Sequence, residues 1–473
     1  MSAAKTTKGT AKKMPKKTPK STAKQAKLPV VKYQPDRPSN SHPHRKSYIL
    51  LGILLVLMVT AYLVGRYETH PQSVAVHAVT PQPSTSAAPV SVGGRLLSPG
   101  TVQTLTTTQI ASAVRWRYGA QTPAPKYEVT VQTIEYTSAA ADGTQLIEYA
   151  RVYIPQGMTT TPGVISFGAG TTGIGQTCSL SLEQPTIHNL GDYNAHNLAY
   201  ASQGYIVVAT NYPGIGTAGQ LEDYMVGVLE GRAMLDSVRA ARRLSGTTSW
   251  STQPIFLLGY SQGGQAAFWA DQIDKAYAPD VKVAGLVAFA PVSSVLSTWQ
   301  GILHGSTINW FGPYVLASYA NYYQQDLGVG QILLPKWVAD LQTDATSHCI
   351  DTAPAFYGSS ASAVYTPQFL AALASGDLAS YGFGTLATEM AAQDITQGTS
   401  TPKLLLQGSA DTTILPSQTT AMNTQLCQLK SGRVSLQVVA KSTHYSIIPD
   451  SFNQTMAWIN TVRDGQTVPT NCS

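Results

Sequence analysis

The chain has 473 residues, 43% of them hydrophobic and 12% charged, which suits one large domain with extensions and excludes a chain too polar to build a core. The formal charge of +6 sits at one end. Residues 1–46 hold thirteen Lys/Arg against one acid, Asp36, a net +12 that leaves the other 427 residues at −6, so a basic nucleic-acid surface is not a property of the body.

The tail, residues 1–46, is rich in Lys, Thr and Pro and too poor in apolar residues to offset the entropy of ordering. It reads as disordered and cytoplasmic, and without interleaved aromatics it does not suggest nucleic-acid binding. Ser47 to Gly65, "SYILLGILLVLMVTAYLVG", contains no charged residue. A helix of about 18 residues at ~1.5 Å each spans ~27 Å, close to the hydrocarbon thickness of a bilayer. The Lys/Arg-rich N-terminal flank keeps that side in the cytoplasm, so the run is expected to be a single-pass transmembrane anchor with the rest of the chain facing outward. Cleavage after "VHA", ending at Ala78, is the alternative and would give a secreted product. Residues 66–100 read as a Pro/Ser/Thr-rich linker.

Four cysteines, Cys178, Cys349, Cys427 and Cys472, all fall in the outward part. In an oxidising compartment they imply two disulfides, with three pairings open. Their spacing gives no metal motif.

The folded body is expected over 101–473. "YEVTVQTIEY" and "QLIEYARVYI" alternate in polarity around "ADGT", an Asp-Gly hairpin signal. Short apolar runs follow at 163–170, 205–212, 254–260 and 281–290, with apolar residues at helical intervals over Glu222–Leu244. Strand and helix in alternation predict an α/β fold with a mainly parallel sheet. At about 293–395 the alternation stops, and fourteen aromatics with a single basic residue, Lys336, read as an inserted, mainly helical cap. Strands resume at 402–408 and 434–441.

At the end of the third parallel run stands Gly259-Tyr260-Ser261-Gln262-Gly263, a G-x-S-x-G pattern between a strand and a helix. Such a turn lifts a serine above the sheet at a helix N-terminus, where N–H groups favour developing negative charge. A serine hydroxyl needs a base and an orienting acid to attack. Asp411 follows "LLLQ" and His444 follows "VSLQVV", the loops where acid and base are expected. Asp450 is the alternative acid, though a helix start explains it. For the oxyanion hole, the backbone N–H of Gln262 is one candidate. The second is Thr172, with Thr171 beside it, in the glycine-rich loop 168–178. That loop lacks the lysine of a phosphate-cradling motif.

The stretches "GTTGIGQTCSLS", "VVATNYPGIGTAGQLEDYMVG", "EGRAMLDSVRAAR", "GYSQGG" and "GSADTTILP" resemble the secretory lipase family of fungi and bacteria, an α/β-hydrolase family with a helical cap. The resemblance implies Ser261 as nucleophile, Asp411 as acid, His444 as base, and disulfides Cys178–Cys349 and Cys427–Cys472. Gln176-Thr177 and Tyr212-Pro213 depart from common family choices and bear on substrate preference. The expected activity is hydrolysis of acyl or lipid esters through an acyl-enzyme, with no cofactor. Acyl transfer, peptidase action and a non-catalytic surface-binding protein are the alternatives.

Overall fold

The computed structural model describes residues 93–159, 163–186, 188–244, 252–305 and 307–472. The basic tail, the apolar run 47–65 and the linker up to residue 92 lie outside the described residues. Among the described residues no helix is long and apolar enough to cross a membrane.

Nine strands form one sheet in the order β1-β2-β3-β5-β4-β6-β7-β8-β9. The first three, β1 (Leu96–Leu105), β2 (Val129–Ala139) and β3 (Gln145–Pro155), are antiparallel. The β2–β3 turn carries the Asp-Gly pair, with Gly143 at φ +88°, and β3 meets β5 (Ile206–Thr210) antiparallel. From there β5, β4 (Val164–Gly168), β6 (Ile255–Tyr260), β7 (Val283–Phe289), β8 (Lys403–Gly408) and β9 (Val434–Val439) are all parallel.

Both faces of the inner parallel strands are covered, so these strands read as near-continuous apolar runs rather than alternating ones. Along β6, Ile255 and Leu257 enter one core with Phe268, from α4, and Leu235, from α3 (α3, Gly227–Ala241; α4, Gln262–Tyr277). Phe256 and Leu258 enter the opposite core with Val114 of α1 (Thr107–Tyr118) and Leu198 of α2 (Tyr193–Ala201). Each face removes its side chains from water at roughly 25 cal/mol per Å2 of apolar surface.

Between β7 and β8 the chain leaves the sheet and forms a run of helices beginning with α5 (Val295–Gly305) and α6 (Phe311–Tyr323). Trp299, fully buried, packs against Phe311, Tyr365 and Phe369. The cap aromatics thus form a core continuous with one face of the sheet.

Two sequence expectations are corrected here. The linker was expected to reach residue 100, but β1 starts at Leu96 and pairs with β2. It is an edge strand with mostly exposed residues and an internal Pro-Gly, so it carries no alternation to read. The helix expected from Glu222 begins at Gly227. Residues ahead of it are held as loop: Glu222 N–H donates to Ile174 O, Asp223 N–H to Pro213 O, and Met225 takes φ +61°.

Candidate active site

The site is assembled from three strand ends on one side of the sheet. Ser261 directly follows β6, with φ +56° and ψ −116°, a backbone conformation costly for a residue with a Cβ. The turn is tight enough to require its glycines. A Cβ on Gly259 would lie 1.9 Å from Gly263 O, and one on Gly263 would lie 2.0 Å from Gly168 O. Ser261 N–H donates to Phe289 O at 2.9 Å and its carbonyl accepts from Val292 N–H at 3.1 Å, which fixes the turn to the neighbouring strand.

Asp411 follows β8 and is buried. Its Oδ1 accepts from the backbone N–H groups of Thr413 and Ile414 at 2.8 and 2.9 Å, which leaves Oδ2 facing His444. That residue follows β9, and its Nδ1 lies 2.8 Å from Asp411 Oδ2 while its Nε2 lies 3.1 Å from Ser261 Oγ. A carboxylate at Nδ1 is the arrangement that keeps an imidazole proton on that nitrogen and leaves Nε2 to accept from a serine hydroxyl. The Tyr260 ring lies 4.9 Å from the imidazole at a tilt of 37°, and its hydroxyl donates to His444 O at 3.0 Å. On the other side the guanidinium of Arg117 donates to Tyr445 O and lies 4.5 Å from the Tyr445 ring centroid. Asp450 ends a short helix, Ile447–Asp450, and the carboxylate at the imidazole is that of Asp411.

A cavity of about 190 Å3 opens over Ser261 and His444. Its walls are largely apolar, with Val292, Ile302, Trp310, Phe311, Ile350 and Ile414. Among the described residues, Arg117 is the one Lys or Arg in this wall.

Of the two loop threonines, Thr171 lines this cavity, and its hydroxyl is 2.8 Å from that of Tyr224. Thr172 is not among the lining residues; its carbonyl accepts from Ile350 N–H of the cap. Nothing in the order of the two threonines distinguishes which one lines the cavity. Gln262 heads α4 directly after Ser261, with its side chain buried.

Two residues at the site went unread in the sequence. Glu222 Oε1 and Glu230 Oε1 lie 2.5 and 2.7 Å from Gln262 Nε2. Burial raises the pKa of Glu222 well above the usual carboxylate value and that of Glu230 to about 8. In the sequence they are simply two acids within the helical-interval stretch Glu222–Leu244, with nothing to mark them as buried.

Cys178 is bonded to Cys349 and Cys427 to Cys472. The first bond ties the loop after β4 to the cap, and a Cβ on Gly175 would lie 1.9 Å from Thr346 O of the cap. Among the described residues, no three His, Cys, Asp or Glu side chains are arranged to hold a metal ion.

The sequence profile of the secretory lipases matches residues 196–470, more than half of the chain. The chain belongs to the secretory lipase family. Lipase 1 of Candida albicans is 28% identical over 158 residues, covering 33% of this chain and 32% of that protein. The matched region therefore spans about a third of that curated relative's length. Among solved structures, the rice cell wall degrading esterase LipA from Xanthomonas oryzae superposes with a TM-score of 0.64 at 20% identity, covering 79% of this chain and 98% of the other. Candida antarctica lipase A in its closed state gives 0.61 at 17% identity, covering 80% and 84%. At these identities the likeness speaks for the fold, which is that of the α/β-hydrolases.

Proposed function

We propose that the protein is a serine hydrolase of carboxylic esters, with Ser261 as nucleophile, His444 as base and Asp411 as the acid that orients it. The observation that carries this reading is the hydrogen-bonded chain from Asp411 Oδ2 through the imidazole to Ser261 Oγ. His444 takes the serine proton as Oγ attacks the ester carbonyl. The tetrahedral oxyanion is received by the N–H of Gln262 and an N–H of loop 168–178, where Thr171 lines the cavity. Collapse expels the alcohol, protonated by His444, and leaves an acyl-enzyme. Water, deprotonated by the same imidazole, then releases the acid.

Membership of the secretory lipase family and the apolar walls of the cavity favour acyl esters as substrates. A volume of about 190 Å3 lies under the roughly 300–1,000 Å3 usual for drug-sized ligands, which favours short to medium acyl chains. Ser261→Ala tests the reading: hydrolysis of p-nitrophenyl butyrate should vanish while the melting temperature holds. Retained turnover would reject it.

The location proposed is extracytoplasmic, with the apolar run 47–65 holding the enzyme at its own membrane. The basic flank and the uncharged length of that run support this. A mature chain found in the medium, beginning near Val79, would reject the anchor.

A further inference from the structure

Three elements meet around the proposed oxyanion site, and one short segment touches all of them. Residues 222–225 join the loop after β5 to α3. Glu222 N–H donates to Ile174 O at 2.9 Å, in loop 168–178. The Tyr224 hydroxyl is 2.8 Å from Thr171 Oγ1 in the same loop. In the other direction the Glu222 side chain accepts from Gln262 Nε2, and Glu230 Oε1 accepts from the same amide while also receiving Met225 N–H at 3.0 Å.

Both hydrogens of the Gln262 side-chain amide are thereby committed, one to each glutamate. The backbone N–H of the same residue is the proposed donor to the oxyanion. We propose that Glu222 and Glu230 are positioning residues, a brace that fixes Gln262 relative to loop 168–178 and so sets the spacing of the two oxyanion donors. The proposal rests on the esterase reading of Ser261 and adds to it residues that never touch substrate.

The brace works when its carboxyls are uncharged. Both glutamates are fully buried, and the second oxygen of each has no hydrogen-bond partner. Among the described residues neither has a cation within ion-pair distance. Neighbouring acids add to the difficulty of ionising: Glu230, Asp223 and Glu148 from β3 oppose a charge on Glu222, and Asp223 opposes one on Glu230, while Tyr212, Tyr224 and Tyr319 around them have their own pKa raised by burial and stay neutral. Ionisation of either would place a negative charge beneath a site built to receive one, since oppositely signed dipoles stabilise an oxyanion and like charge opposes it.

The test compares wild type with Glu222→Ala, Glu222→Gln, Glu230→Ala and Glu230→Gln on p-nitrophenyl butyrate across pH 6 to 10. Loss of the brace should lower kcat of the alanine variants by ~10-fold or more, as a misplaced donor does, with KM nearly unchanged. The glutamine variants keep an acceptor oxygen for Gln262 and should recover most of that loss. Wild-type kcat should decline as pH rises past about 8, where Glu230 ionises, and Glu230→Gln should move that decline to higher pH. Alanine variants with wild-type kcat would overturn the proposal. So would glutamine variants as impaired as the alanine ones. If the alanine variants do not fold, Glu230→Gln decides alone, and an unmoved alkaline decline overturns the brace. Wild-type protein with no hydrolysis at any pH would instead be a failure of the esterase reading.

Discussion

The Nε2 of His444 lies 3.1 Å from Ser261 Oγ although 183 positions separate the two residues. The closure is made by the sheet: Ser261 leaves β6, Asp411 leaves β8 and His444 leaves β9, and these strands run parallel with only β7 between β6 and β8. Parallel strands put their C-terminal ends on one side, so loops distant in sequence share one surface.

Asp411 is the acid proposed to set the tautomer of that histidine. Asp411→Asn should lower kcat by ~10^4, because the amide permits the wrong ring nitrogen to carry the proton. Asp450→Asn should leave kcat within about twofold, since it lies outside the hydrogen-bonded chain. Steady-state kinetics on both variants checks the assignment, and a larger loss at Asp450 would reverse it.

The turn at Ser261 leaves no space for a side chain at Gly263. Its Cβ would lie 2.0 Å from Gly168 O, a backbone atom that cannot swing aside. Gly263→Ala should therefore separate α4 from β4 and cost ~2 kcal/mol or more. Thermal unfolding measures this, and a melting temperature equal to wild type would show that the turn is looser than described.

Buried acids make stability depend on pH. The pKa of Glu230 rises to about 8, that of Asp223 to about 7, and that of Glu222 moves in the same direction, each mainly through burial. The folded state then holds more protons than the unfolded one. Stability is complete below the ordinary carboxylate range and is lost as pH rises through the folded values, at up to about 1.4 kcal/mol per pH unit for each group. Urea unfolding between pH 5 and 9 should show this decline, and Glu230→Gln should flatten it. A stability that rises over this window would contradict the burial of these groups.

Trp310 forms part of the cavity wall and is almost fully buried. Trp310→Ala should open the cavity and raise the kcat/KM ratio of octanoate to butyrate esters by several-fold, at a cost of about 3–5 kcal/mol in stability. An unchanged ratio would place the acyl chain elsewhere.

Much of this architecture is legible in the residues, and for a physical reason. Strands covered on both faces carry short apolar runs such as "IFLL" and "LLL", which stand out, and the loops of the proposed site follow directly after them. Edge strand β1 has no such run, because most of its side chains face water. Glu222 and Glu230 were unreadable for a different reason. Carboxyls are ordinarily surface groups, and only the fold reveals two of them buried against one amide. The choice between Thr171 and Thr172 likewise depends on how loop 168–178 is bent beneath the cap, through the Cys178–Cys349 bond and the Ile350 N–H to Thr172 O contact.

The central claim is that Ser261 is the one activated nucleophile of the folded protein. It is tested most directly by treating the intact protein with a fluorophosphonate and mapping the adduct by peptide mass spectrometry alongside residual esterase activity. The account predicts a single adduct on Ser261, formed in step with the loss of activity and absent from Ser261→Ala and from heat-unfolded protein. Loss of activity with Ser261 unmodified, or full modification with activity intact, would contradict it.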